Sequence, residues 1–119
     1  MGGQEGPGEN MMKSLLSEHK EFIIFLNKLP PHKRSKLIDS LTRVHLECIA
    51  EICKNFLRKN LTEDLKTIKQ LKKYKKEIKD ISLKNTSLSK KKKILSTKRG
   101  GNILSLLLPL ATSIISSII

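Results

Sequence analysis

Residues 61–81 read LTEDLKTIKQLKKYKKEIKDI, and this stretch decides the class of fold. Its apolar residues Leu65, Ile68, Leu71, Tyr74, Ile78 and Ile81 recur at steps of three and four, never two. That spacing sets them on one side of a helix and argues against a half-buried strand. Thr62, followed by Glu63 and Asp64, reads as an N-cap with acids in the first turn, where they complement the helix dipole. The other faces of this helix carry Lys66, Lys69, Lys72, Lys73, Lys75, Lys76 and Lys79.

Helical periodicity continues on both sides. In residues 12–29, Met12, Leu15, Leu16, Phe22, Ile23, Phe25, Leu26 and Leu29 fit one helix face, and Pro30-Pro31 ends it because neither proline donates a backbone N–H. Pro31 then opens a short helix reaching about Ser40. A third helix over roughly 42–59 gathers Val44, Cys48, Ile49, Ile52, Cys53, Phe56 and Leu57. Ser87 caps a fifth helix through Lys98, with Leu88, Ile94 and Leu95 as its apolar contacts. No segment alternates with period two. The expectation is an all-α fold: a small bundle of four to five short helices with an apolar C-terminal helix. Its zones are a flexible leader (1–10), a helical core (11–59), a basic helical region (61–99) and an apolar tail (102–119) behind Gly100-Gly101.

A chain of 119 residues has room for one small domain, with or without a tail, and none for a large enzyme core. Lys and Arg number 24 against 11 Asp and Glu, a net charge of +13. By segment the balance is −1 over 1–30, +4 over 31–60, +10 over 61–99 and zero beyond. Such segregation points to a division of labour along the chain. Aromatic residues make up 3%, too few for stacking on single-stranded bases. The N-terminal residues are Gly-rich and acidic with no apolar run, which is not a secretory signal.

The basic region predicts contact with a polyanion. A helix offering cations every three or four residues follows phosphates and releases their condensed counterions. Lys outnumbers Arg 20 to 4, favouring point-charge phosphate contact over bidentate reading of guanine. The expected partner is therefore double-stranded nucleic acid, with DNA favoured, bound without sequence preference. The candidate residues are Lys66, Lys69, Lys72, Lys73, Lys75, Lys76 and Lys79, then Lys90, Lys91, Lys92, Lys93, Lys98 and Arg99. The run at 90–93 is also compatible with a nuclear-localisation signal. The bland alternative is a solvated face that keeps the protein soluble.

Residues 102–119 hold no charge. As a helix they span about 27 Å, slightly less than a bilayer's hydrocarbon core. Ser105, Thr112, Ser113, Ser116 and Ser117 share a narrow stripe with Pro109. The wide apolar face, Ile103, Leu104, Leu106, Leu107, Leu108, Leu110, Ile114, Ile115, Ile118 and Ile119, suits a membrane surface or a groove on a partner such as a capsid shell. It suits equally a helix packed on the chain's own core. A membrane-active or membrane-anchored cationic protein is thus the alternative function.

Cys48 and Cys53, five residues apart on one helix, diverge by about 140° and make a poor disulfide, so they read as buried thiols. His45 and Cys48 lack a second ligand pair at zinc spacing. No catalytic constellation or phosphate loop stands out, and the expectation is a non-enzyme without cofactor or metal.

Lys98-Arg99-Gly100-Gly101-Asn102-Ile103-Leu104-Ser105-Leu106-Leu107-Leu108-Pro109-Leu110-Ala111 resembles the end of the precursor of adenovirus core protein X (mu), and the order Leu61-Thr62, Lys72-Lys73-Tyr74-Lys75-Lys76, Ser87-Leu88-Ser89-Lys90-Lys91-Lys92-Lys93-Ile94-Leu95, Gly100-Gly101 carries a second resemblance. That order is similar to small proteins of Maverick/Polinton (adintovirus-like) elements. The chain is Lys-rich where the adenoviral protein is Arg-rich. The resemblance implies a virion core protein that condenses the genome, located in the virion and in the host nucleus or at a membrane surface. It also implies a tail that engages capsid or membrane.

Overall fold

The computed structural model describes residues 7–118, with side chains from residue 10 to residue 117. Among the described residues the fold is all-α, with no strand. Eight α-helices follow one another: α1 Pro7–Glu18, α2 Lys20–Lys28, α3 Pro31–Leu37, α4 Arg43–Lys59, α5 Leu65–Lys72, α6 Lys75–Ser82, α7 Leu88–Ser96 and α8 Lys98–Ile118. A single 3-10 turn, Ile38–Ser40, joins α3 to α4.

The central helix is α4. Thr42 caps it reciprocally: its hydroxyl accepts from the His45 N–H, and His45 Nδ1 accepts from the Thr42 N–H, both at 3.3 Å. Asn60 ends it in the left-handed region at φ 65°, its N–H donating to the Phe56 carbonyl. Leu61 follows at φ 56°, a strained value for a residue with a Cβ, held because its side chain packs against the core. Leu46, Ile49, Ile52, Cys53 and Phe56 are buried, and α1, α6 and α7 cover the helix.

The second organising element is α8. It lies against α2, α7, α1 and α3 and supplies Ile103, Leu104, Leu107, Leu108, Ala111 and Ile115, six of the 24 buried apolar residues. Its polar stripe faces outward at Pro109, Ser113, Ser116 and Ser117. Arg34, buried on α3, donates through Nε to the Leu29 carbonyl at 3.0 Å and through Nη1 to Ser105 Oγ at 3.1 Å, fastening α3 to α8. The radius of gyration, 13.3 Å, equals that of a close-packed domain of this length.

Three boundaries differ from the sequence reading. The helix expected over 12–29 bends at His19, which turns α2 onto α8 while α1 stays across α4. The helix expected over 62–81 starts at the Asp64 cap instead of Thr62 and breaks at Lys73–Tyr74. The Gly100-Gly101 pair is no linker but lies inside α8, whose first turn Thr97 caps by accepting from the Gly100 N–H at 3.0 Å. A Cβ on Gly100 would sit 2.0 Å from the Ile94 carbonyl oxygen, so only glycine lets α7 and α8 approach so closely. These breaks raise the helix count from the expected four or five to eight. The leader at 1–10 lies outside the described residues except where α1 begins.

Candidate nucleic-acid interface

The basic helices turn Ile68, Leu71, Ile78, Ile81 and Leu95 inward and most of their ammonium groups out, while Leu65, on the same stripe by spacing, stands 78% exposed. On α5, the Asp64 cap accepts from the Lys66 N–H at 3.2 Å and from the Thr67 hydroxyl at 2.6 Å, and that hydroxyl holds the Asp64 carboxyl below its ordinary range. Ile68 and Leu71 are buried, while Lys66, Lys69, Lys72 and Lys73 are exposed. On α6, Ile78 and Ile81 point inward and Lys75, Lys76 and Lys79 point outward. On α7, Ser87 Oγ accepts from the Lys90 N–H at 3.1 Å, which fixes the register. Leu95 is then buried, with Lys90 and Lys93 exposed.

Folding brings the two lysine runs together. A groove of about 660 Å³ runs between α6 and α7, with Lys76 and Asp80 on one wall and Ser89, Lys90 and Lys93 on the other. Lys98 lies exposed at the start of α8. Ten of the thirteen candidate cations (66, 69, 72, 73, 75, 76, 79, 90, 93 and 98) are exposed, and none of the ten forms a salt bridge among the described residues. The arrangement offers a broad set of unneutralised point charges of the kind that contacts phosphates.

The other three are placed differently. Lys91 is buried, 6% exposed, against the expectation of a nucleic-acid contact. The reason is geometric: four consecutive residues sweep about 300° of a helix, so one must face inward, and Lys91 lies between Leu88 and Leu95 on the inner side. Burial pulls its pKa down. Lys92 is half-buried and donates to the Asp39 carbonyl at 2.9 Å. Arg99 bridges elements: its Nε donates to Glu77 Oε2 at 2.5 Å and its Nη2 to the Lys73 carbonyl at 3.0 Å, while the guanidinium lies 4.7 Å from the Tyr74 ring centre. The carbonyl left over at the α5–α6 break thus finds a donor. The Arg99 contact holds the Glu77 carboxyl below its ordinary 4.5.

Of the tail residues named for membrane or partner contact, Ile103, Leu104, Leu107, Leu108 and Ile115 are buried on the protein's own helices, the packing that the sequence left equally open. Leu106, Leu110 and Ile114 are half-buried; the Ile118 side chain and Ile119 lie outside the described residues. By length and composition α8 is apolar enough to cross a membrane, yet here it is a core helix.

Sequence reasoning missed Lys84, an exposed cation in the α6–α7 loop with no neighbouring charge to mark it, and Arg34, whose burial depends on Ser105 far along the chain. Cys48 and Cys53 are buried free thiols, their pKa values pushed up by burial to about 11 and about 12, so both stay protonated near neutrality. His45 serves as a cap and stacks on Phe22, ring centres 3.9 Å apart. Comparison with protein-family models, with curated proteins and with solved structures gives no match.

Proposed function

We propose that the protein is a non-enzymatic binder of double-stranded nucleic acid, contacting phosphates without reading sequence through the surface of α5, α6 and α7. One observation supports this reading: ten lysines on and beside that surface are exposed and form no salt bridge among the described residues, and the α6–α7 groove unites both runs. Soluble proteins commonly balance both signs of charge; here Asp64, Glu77 and Asp80 are outnumbered by the lysines around them. The resemblance to virion core proteins extends the reading to packing a viral genome, with DNA as the ligand.

An electrophoretic-shift titration of the full chain on two unrelated duplexes tests it. Affinities are expected to agree between duplexes and to fall together by on the order of a thousandfold between 50 and 200 mM salt, as for six to ten phosphate contacts. A flat salt response, or strong preference for one sequence, would overturn the proposal. Vesicles of anionic lipid, added as competitor, address the membrane alternative: a membrane protein would leave the duplex for the vesicles even at high salt.

A further inference from the structure

A second cavity lies on the α4 side of α7. A cleft of about 940 Å³ opens between α1, α4 and the loop and first turn of α7. Three observations on its walls converge. Glu51 is 6% exposed; its Oε2 accepts from Lys54 Nζ at 3.2 Å, but its buried Oε1 has no hydrogen-bond partner. Lys91, equally buried, forms no hydrogen bond or salt bridge among the described residues. The walls mix apolar Leu15, Ala50 and Leu88 with the charged Arg43, Glu47 and Lys84, and Met11 stands 53% exposed at the rim.

A buried carboxylate oxygen without a hydrogen bond and a desolvated ammonium without one are both costly, even though Lys54 pairs with Glu51 and the Glu47 charge attracts Lys91. Water satisfies an acceptor but does not cover the apolar walls. A molecule with an ammonium, an anionic group and an aliphatic body meets all three needs at once.

We propose that this cleft binds a small zwitterion with an apolar side chain, its ammonium donating to Glu51, its anionic group accepting from Lys91, and its aliphatic part lying on Leu15, Ala50 and Leu88. An α-amino acid with a branched aliphatic side chain has this chemistry. Lys91 faces away from the exposed lysines of α7, and Ser87 lines both this cleft and the α6–α7 groove.

The test is an NMR chemical-shift titration of the full chain with L-leucine, N-acetyl-L-leucine and L-leucinamide. L-Leucine is expected to give saturable shifts confined to the amides of Ala50, Glu51, Lys91 and residues 82–88. The two analogues, each lacking one charge, are expected to bind about tenfold more weakly, as for the loss of one charged hydrogen bond. Glu51→Gln and Lys91→Met are expected to weaken L-leucine to a similar degree, with thermal melts run alongside to verify folding. Absence of saturable shifts with L-leucine, shifts outside the cleft, or equal binding of either analogue would overturn the proposal. The analogue comparison uses the unaltered chain and so decides the matter even if a variant fails to fold.

Discussion

The lysine surface of α5 to α7 and the apolar helix α8 are the two regions with the most lopsided composition, and folding treats them oppositely. Most of the lysines remain outside and without a salt bridge among the described residues, because they outnumber the acidic residues on the same helices. Helix α8 instead goes inside, because burying five Ile and Leu side chains and Ala111 is the most favourable outcome available to it in water. A run of charge therefore announces a surface more dependably than a run of greasy residues announces a membrane. The second reads the same whether its partner is lipid or the rest of the chain.

The sharpest way to break this contrast is to remove α8. A chain ending at Arg99 loses a quarter of the buried apolar residues and is expected to lose cooperative thermal unfolding, read by circular dichroism. If the shortened chain folds normally, α8 is not core. Next in size is the glycine pair. Gly100→Ala drives a methyl into the Ile94 carbonyl and is expected to cost about 2–3 kcal/mol by chemical denaturation. Gly101→Ala meets nothing within 4 Å and is expected to gain up to about 1 kcal/mol from helix propensity.

On the lysine side, changing Lys76, Lys90 and Lys93 together to Gln is expected to lower the logarithmic salt slope of duplex binding by about 2–3 while shifting stability by less than about 0.5 kcal/mol. That pairing of outcomes would show these groups to be surface in the functional sense. The smallest effect concerns His45. Burial lowers its pKa below 6.5, with His19 adding to the shift, so the folded state favours the neutral ring that accepts from Thr42. The unfolded chain then binds more protons, and stability is expected to fall as pH drops through about 6.5 and below, by under about 1 kcal/mol. His45→Gln should flatten that part of a pH–stability profile measured by urea denaturation.

Much of the fold was legible in residue order. The all-α class, the start of α3 at Pro31, the span of α4 and the Ser87 cap of α7 rest on local periodicity and capping, which act within a few residues. The break at Lys73–Tyr74 was not legible, because no glycine or proline marks it and its free carbonyl is satisfied by Arg99, a residue 26 positions away. The bend at His19 is likewise unmarked by any local breaker and reflects two separate surfaces to be covered. At the interface, exposure of ten lysines followed from spacing, while the burial of Lys91 depended on the register that Ser87 imposes. The fastening of Arg99 to Glu77 depended on tertiary contact. The Gly-Gly pair reads as the boundary before the apolar tail; only the close passage of α7 shows Gly100 to be a contact.

That close passage bears on how the ammonium groups are presented. Because α7 is seated against the backbone of α8 at Gly100, the lysines of α7 hold a set position relative to those of α6. A phosphate chain arriving there has only side-chain rotamers to order, and the entropic loss per contact is correspondingly small. Loosening this one joint is thus a way to weaken a charged array without touching a single charge.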